Sequence, residues 1–239
     1  MIDKHLLKLR ARYEISEAEE SLIRSFVSPP TEVAAKQTVI RGGDLLSRST
    51  LLLEGMMCRY KDLANGTRQI TELHVAGDFV DLHSFTLKSL DHNIMALTPC
   101  TIATVDHSDL KRVTEESPHL TRVYWFTTNL DAAVHREWVL SLGRRSAISR
   151  TAHLFCELHV RLGIVGLADD NGFDLALTQV DLAECLGMTA VHLNRTLRDL
   201  RDQKIVQFRS RRVVIGDLAQ MRRTAEFSTE YLYLDKEPR

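Results

Sequence analysis

The residues with the clearest chemical potential lie between positions 189 and 198. The forked guanidinium of Arg195 matches two acceptors of a guanine, and the amide of Asn194 matches an adenine edge or a phosphate. Arg198 adds a charge that suits a phosphate. Just before them in the chain, Ala190 and Val191 offer methyl groups of the kind that contact a thymine methyl. One helix face that carried these side chains would suit double-stranded DNA.

Two short helices around a glycine turn are predicted to position these side chains. Apolar residues recur at helical spacing at Val180, Leu182, Ala183 and Leu186, and again at Leu193, Leu197 and Leu200. Thr178 and Asp181 have the spacing of a capping box, and Gly187 suits a helix end. Thr189 is placed to cap the second helix. The pattern is that of a helix-turn-helix, and its alternative is a pair of ordinary bundle helices whose arginines only face solvent.

The segment after the second helix narrows this choice. Residues 205–208 and 213–215 read as two strands and residues 209–212 as a basic hairpin tip, which together predict a wing. Residues 187–212 hold seven basic residues against two acidic ones, a local charge of +5 in a chain of net charge −1. A basic patch on a near-neutral protein is typical of a phosphate-binding face. The predicted DNA contacts are Thr178, Gln179, Thr189, Ala190, Val191, His192, Asn194, Arg195, Arg198, Arg209, Arg211 and Arg212.

Composition places the chain among ordinary globular proteins and allows two domains. Its 239 residues are 44% hydrophobic and 26% charged. No apolar run approaches the ~18 residues of a membrane span, and the charged start lacks the features of a secretory signal. The cytoplasm is the expected location, with no membrane partner. The four cysteines are widely separated in the chain, and each has apolar neighbours, which predicts buried thiols rather than a redox or metal site. They are Cys58, Cys100, Cys156 and Cys185.

The first half of the chain has the pattern of a β-rich domain. Short strands are predicted at 37–41, 51–53, 56–61, 68–74 and 101–106. The pair Asn65-Gly66 between two of them is a strong hairpin signal. Strands this short and this closely spaced favour a compact β-barrel or jelly roll.

A long helical stretch follows Pro118. The predicted helix over 120–142 is ~30 Å long, so its apolar stripe needs either the barrel or a second copy of itself as a partner. That stripe consists of Val123, Phe126 or Thr127, Leu130, Val134, Trp138 and Leu142. Gly143 is expected to end the helix, and a further helix is predicted over 144–163. Residues 167–175 are predicted to be a solvated connector.

This order of elements resembles the Crp/Fnr superfamily of bacterial transcription regulators, from about residue 15 to residue 218. Residues 51–79 look like the family's barrel signature, and residues 177–206 look like its reading head. The resemblance implies an α+β fold. Its parts would be an N-terminal helix with a cyclic-nucleotide-binding-like β-roll (jelly roll) over 1–117, a long dimerisation helix over 118–143, and a C-terminal winged helix-turn-helix over 144–239.

The resemblance also implies the mode of action. A homodimer would place the helix over about 189–203 of each copy in a major groove, on a palindrome with half-sites ~34 Å apart. RNA polymerase is a further candidate partner. Because Ala190 and Val191 replace the polar residues that many members carry there, we expect an altered half-site. An effector would act by favouring one placement of the reading heads, with a hinge near Gly143-Arg144-Arg145.

The sensor positions depart from those of the family's cyclic-AMP-binding members. Those members use a glutamate for the ribose, and an arginine with a serine or threonine for the phosphate. An ungapped count places these positions on Leu82, His92 and Asn93. Without the arginine fork, and with Asp91 repelling an anion, cyclic AMP is not the expected ligand.

Other effectors are alternatives. An iron-sulfur cluster needs about four thiolates, and no cysteine precedes Cys58. Heme is a candidate because histidines lie in or near the barrel at His74, His83, His92 and His107. An unidentified small molecule would instead meet the polar groups of Asp81, His83, His92 and Asn93. No cofactor is expected, with heme or another small effector as the alternative, and the barrel binding nothing is a further alternative.

Two functions compete with a DNA-binding regulator. The first is a heme- or small-molecule-sensing β-roll protein whose main role is ligand binding. The second is an enzymatic β-roll, which would need several histidine and carboxylate ligands to converge in the barrel. His83 and His92 lack the spacing of such a set, so we expect no enzymatic activity and no metal site.

Overall fold

The computed structural model describes residues 1–235, so the last four residues of the domain predicted over 144–239 lie outside the described residues. Two helices open the chain, α1 (Asp3–Arg10) and α2 (Glu17–Phe26). Ser16 and Glu19 form a capping box that starts α2. Within residues 1–235, no helix is both long and apolar enough to cross a membrane.

A β-roll of two antiparallel sheets follows these helices. Its strands are β1 (Thr31–Val33), β2 (Thr38–Ile40), β3 (Arg48–Glu54), β4 (Met56–Asp62), β5 (Arg68–Val75), β6 (Asn93–Ala96) and β7 (Cys100–Asp106). One sheet has the order β1-β7-β3 and the other the order β2-β6-β4-β5. The predicted Asn65-Gly66 turn joins β4 to β5, with Gly66 at φ 83°. The strands β1 and β6 were not predicted, since strands of three or four residues carry little alternation of apolar and polar side chains.

Helices then connect the roll to the C-terminal half. They are α4 (His107–Glu116), α5 (Pro118–Arg144) and α6 (Ala147–Ile164), whereas the short helix α3 (Ser84–Leu87) lies within the roll between β5 and β6. The predicted stripe of α5 packs within the chain, where Val123, Val134 and Trp138 are buried. Gly143 does not end α5. The helix continues to Arg144. The side chain of Arg145 stabilises the end of α5 by donating hydrogen bonds to Glu137 and Ser141 on the preceding turns.

The C-terminal half contains the predicted reading head. Its elements are β8 (Ala168–Asp169), β9 (Gly172–Asp174), α7 (Gln179–Leu186), α8 (Ala190–Asp202), β10 (Val206–Arg209), β11 (Arg212–Ile215), α9 (Leu218–Ala225) and a 3-10 turn at Glu230–Leu232. The four strands form a sheet in the order β10-β11-β9-β8. The prediction of a solvated connector over 167–175 is therefore wrong. Phe173 is buried and pairs with Val213, so this segment extends the wing sheet.

The C-terminal half is docked on the β-roll. The Gln69 side chain on β5 donates a hydrogen bond of 2.7 Å to the carbonyl of Glu184 on α7. Lys36 forms an ion pair of 2.5 Å with Asp181. The buried carboxylate of Glu157 on α6 accepts hydrogen bonds from Trp138 on α5 and from Tyr231 near the C-terminus. These contacts fix the reading head relative to the roll and to α5.

Candidate nucleic-acid interface

The helix α8 has one buried and one exposed face. Leu193, Leu197 and Leu200 are buried, as the sequence predicts. Thr189 caps the helix by accepting a hydrogen bond of 3.2 Å from the backbone N–H of His192. Opposite the leucines, the exposed face carries Val191, His192, Asn194, Arg195 and Arg198. Ala190 is partly buried at the start of this face.

The charges on this face are available for a ligand. Among the described residues, neither Arg195 nor Arg198 takes part in any of the ion pairs, and both side chains are exposed. Arg201, near the end of the same helix, differs because Asp202 lies 3.2 Å from its guanidinium. The two unpaired arginines can therefore meet phosphates or base edges without breaking an existing contact.

The helix α7 supports the exposed face of α8. The predicted capping box is present, because Thr178 and Asp181 each accept a hydrogen bond from the other's backbone N–H. Gln179 is exposed, and its side-chain oxygen accepts a hydrogen bond of 3.3 Å from the Asn194 amide. The prediction that Val180 belongs to the apolar face is wrong. It is 57% exposed, since it lies two positions before Leu182 and so projects from the other side of the helix.

The turn between α7 and α8 requires glycine. Gly187 has φ 58°, a left-handed conformation that glycine adopts freely. A Cβ atom at this position would lie 3.0 Å from the side chain of Leu142 on α5. The turn therefore brings the reading head into close contact with the long helix.

The predicted wing is formed by β10 and β11. Ser210 and Arg211 connect the strands with φ values of 50° and 60°, which match a type I′ hairpin turn. Arg209 and Arg211 are exposed at this tip. Arg212 is held differently, because it forms ion pairs of 2.9 Å with Asp174 and 3.2 Å with Asp169. Its charge is thus partly compensated before any nucleic acid binds.

The four predicted effector contacts are not brought together into one site. Asp81 is fully buried and accepts hydrogen bonds from the Thr50 backbone and the Ser84 hydroxyl, and burial raises its pKa to about 7. Asn93 accepts a hydrogen bond of 3.0 Å from the backbone of Gly42. The rings of His83 and His92 lie 5.5 Å apart. Asp81 and Asn93 therefore serve the roll's own structure.

His83 instead borders a partly open cavity of about 70 Å³ between the roll, α1 and α5. Its charged lining centres on Arg59, which donates hydrogen bonds of 2.8 Å to Glu72 and 2.6 Å to Asp131. Burial, reinforced by Arg59, lowers the pKa of His83 to about 4. The cavity is far below the ~300–1,000 Å³ of typical small-molecule sites, so in this conformation it suits an ion or a few water molecules.

Sequence reasoning missed Arg59, Glu72 and Asp131. One signal was present in the sequence. Glu72 and His74 alternate with the apolar Leu73 and Val75 at the end of a strand, and polar groups at such positions need partners if they are buried. The partner Asp131 lies on α5, more than 50 residues away in the chain, so the sequence alone could not pair them.

The four cysteines are all buried free thiols. Burial raises the pKa of Cys58 and Cys156 to about 12, and it also raises the pKa of Cys100 and Cys185. They lie on four different elements, and in the part of the chain that the structure describes they join no group of three metal ligands. These residues do not fit an iron-sulfur cluster.

Comparison with known proteins agrees with this architecture. Residues 30–117 match the model of a cyclic nucleotide-binding domain, and residues 149–224 match that of a Crp-like helix-turn-helix domain. The chain is similar to the transcriptional activator protein FnrL of Cereibacter sphaeroides, with 28% identity over 78% of this chain and 76% of the relative. It is 30% identical to the nitrogen fixation regulation protein FixK of Bradyrhizobium diazoefficiens, over 69% of this chain and 68% of that protein.

Solved structures share the fold. The structure of FixK2 from Bradyrhizobium japonicum superposes with a TM-score of 0.75 at 22% identity, over 82% of this chain and 96% of that one. The c-di-GMP-responsive regulator CLP of Xanthomonas campestris superposes with a TM-score of 0.66 at 13% identity, over 84% of this chain and 100% of that one. The predicted α+β fold of roll, long helix and winged helix-turn-helix is confirmed.

Proposed function

Because the chain belongs to the Crp/Fnr superfamily of transcription regulators, we propose that it works as a homodimer that binds a palindromic DNA site and responds to an effector in its β-roll. In this proposal the protein acts in the cytoplasm, where it meets its DNA target and RNA polymerase. It has no enzymatic role.

The observation that carries the proposal is the exposed face of α8. A helix whose one side is buried by leucines presents Asn194, Arg195 and Arg198 to solvent without ion-pair partners in the described structure. Arg195 is proposed to read a guanine and Asn194 an adenine or a phosphate, with Gln179 orienting the Asn194 amide. Val191 and Ala190 would contact a thymine methyl.

The wing and the helix caps supply the sequence-independent part of binding. Arg209 and Arg211 at the hairpin tip are placed to contact phosphates on either side of the groove. The exposed Thr178 and Thr189, at the starts of two helices, lie where backbone N–H groups favour phosphate. Arg212 would contribute less, since it is already paired with Asp169 and Asp174. His192 is a further contact on the exposed face of α8.

Dimerisation is proposed to use a second stripe on α5, which we call the seam. Unlike the predicted stripe, which packs within the chain, these positions are exposed or half-buried at alternating spacings of three and four residues. The seam consists of Trp125, Thr128, Ala132, His135 and Val139. Trp125 is 68% exposed and Val139 is 59% exposed. Large apolar side chains that are exposed on a regular helix favour a second helix as the partner that would cover them.

The proposed effector site is a larger cavity next to the seam. It has a volume of about 400 Å³ and lies between α3, α4 and α5. His83 and Phe85 border it on one side, and Tyr124 and Trp125 border it on the other. A mostly apolar small molecule would fit there. Because Trp125 also belongs to the seam, such a ligand would change how two long helices pack and hence the spacing of the reading heads.

Selection of binding sites from random duplex DNA tests this proposal. The purified protein should enrich a two-fold palindrome with half-site centres about 10 base pairs apart, and it should sediment as a dimer. The matched control Arg201→Ala lies on the same helix, but its charge is already engaged by Asp202, so it should enrich the same palindrome. Failure to enrich any palindrome above the salt-sensitive background would overturn the proposal.

A further inference from the structure

Three side chains with metal-binding atoms meet where the roll touches the long helix. Glu72 and His74 project from the same face of β5, and Asp131 projects from α5. One potential ligand atom from each lies within 4.8 Å of the others. Glu72 is 2% exposed and His74 is 1% exposed, and all three residues line the 70 Å³ cavity.

His74 gives an independent sign that a ligand belongs here. Its Nε2 atom is buried and has no hydrogen-bond partner within residues 1–235. Buried polar atoms in native proteins are nearly always paired with protein, water or an ion. An imidazole nitrogen without a partner, on a residue that is grouped with two carboxylates, is suited to coordinate a metal ion.

The guanidinium of Arg59 now occupies the position between the two carboxylates. Its Nη1 atom lies 2.8 Å from Glu72 and 2.6 Å from Asp131. The same side chain is also anchored elsewhere, because its Nε and Nη2 atoms donate hydrogen bonds of 3.0 and 2.8 Å to the carbonyl of Val80. Because the guanidinium is rigid and planar, an ion that takes the two carboxylates must displace Nη1 and turn the whole group away from its present contacts, including those with Val80.

We propose that Glu72, His74 and Asp131 form a binding site for a divalent first-row transition metal ion, which competes with Arg59 for the two carboxylates. The mixed set of one imidazole and two carboxylates suits such ions better than Mg²⁺ or Ca²⁺, which prefer oxygen ligands alone. His83, whose Nδ1 atom lies 3.9 Å from Asp131, is placed to add a second imidazole.

Such an ion would link the sensor to the dimer. Glu72 and His74 belong to the strand that contacts the reading head through Gln69, and Asp131 belongs to the helix that carries the seam. A metal bond between them would hold β5 against α5. The regulatory part of this inference rests on the proposed function, whereas metal binding itself does not.

Titration of the metal-free, full-length protein with Co²⁺ tests the site, because bound Co²⁺ has a visible absorption that reports its ligands. We expect one Co²⁺ per chain and at least a tenfold weaker affinity in His74→Ala. Asp131→Asn provides a second variant in case His74→Ala does not fold. Arg59→Gln should bind Co²⁺ more tightly than the wild type, since the competing cation is gone. The control His159→Ala, on α6 outside the cavity, should bind normally.

The outcomes separate this inference from the proposed function. Absence of stoichiometric Co²⁺, or equal affinity in His74→Ala, Asp131→Asn and His159→Ala, would overturn the metal site even if the protein selects a palindrome. Binding of Co²⁺ through His74 without selection of any palindrome would leave the site standing and remove the proposed function. Co²⁺ should also change the affinity for the selected palindrome in the wild type but not in His74→Ala, and an unchanged affinity would overturn the regulatory role.

Discussion

Replacement of Trp125 by alanine should weaken the dimer strongly. A tryptophan buries ~150–250 Å² when fully covered. Since Trp125 is 68% exposed in the single chain, most of that area is available to a partner. At ~25 cal/mol per Å², full coverage would contribute about 3 kcal/mol, and we take about 2 kcal/mol because the seam covers it only in part. Two copies per dimer then give about 4 kcal/mol, or ~1,000-fold in the dissociation constant.

Sedimentation equilibrium over a range of concentrations measures this change directly. Leu45→Ala is the matched control, because Leu45 is 87% exposed and belongs to a loop of the roll, not to α5. It should leave the dimer dissociation constant unchanged. A wild type that is monomeric, or a Trp125→Ala variant that dimerises as tightly as Leu45→Ala, would refute the assignment of the seam.

Three further changes test other parts of the structure. Glu157→Ala should lower the free energy of unfolding by ~3–5 kcal/mol in a denaturant titration, because Trp138, Tyr231 and Arg161 each lose a buried hydrogen-bond partner, although Arg161 keeps its ion pair with Asp78. Glu115→Ala removes only an exposed ion pair and should cost less than about 1 kcal/mol. The folded-state pKa of Asp81, about 7, lies above its ordinary 3.8. The protonated carboxyl of Asp81 therefore stabilises the folded state at low pH, and this stabilisation is lost as pH rises from about 4 to about 7. The variant Asp81→Asn does not titrate, so it should become more stable relative to wild type over that range. Arg211→Ala should weaken binding to all DNA sequences and reduce the salt slope by ~1.

Each of these predictions can fail in a distinct way. Equal unfolding free energies for Glu157→Ala and Glu115→Ala would show that the buried carboxylate does not organise its surroundings. A stability difference between wild type and Asp81→Asn that is the same at about pH 5 and about pH 7 would contradict the raised pKa. The matched control for Arg211 is Arg212→Ala, which should lose less affinity because acidic neighbours already compensate Arg212. The reverse order would contradict the assigned ion pairs.

Local signals in the sequence were sufficient to predict the reading head. The caps at Thr178 and Thr189 and the left-handed turn at Gly187 are set by side chains within a few residues, so the sequence places them correctly. The hairpin at Asn65-Gly66 is predictable for the same reason. Val180 shows the limit, because an apolar residue on a short helix does not reveal whether it faces inward.

The sensor could not be predicted in the same way, since its contacts join distant parts of the chain. Asp81 and Asn93 look like ligand contacts in sequence, but both are occupied by backbone groups of other strands or loops. Conversely, Arg59 reads as an ordinary strand residue and becomes the centre of a buried charge cluster only when α5 brings Asp131 beside it. The predicted stripe on α5 could have packed on the barrel or on a second copy of the chain, and only the tertiary structure shows that it packs within the chain.

The proposal that α8 reads bases through Arg195 has one most direct test. The binding of Arg195→Ala is measured on the selected palindrome and on versions of it altered one base pair at a time. The account predicts a loss of ~1–3 kcal/mol on the intact palindrome. It also predicts that the variant no longer discriminates at one position per half-site, while discrimination elsewhere is retained. An equal loss on palindromic and random DNA, with the pattern of discrimination unchanged, would contradict the account.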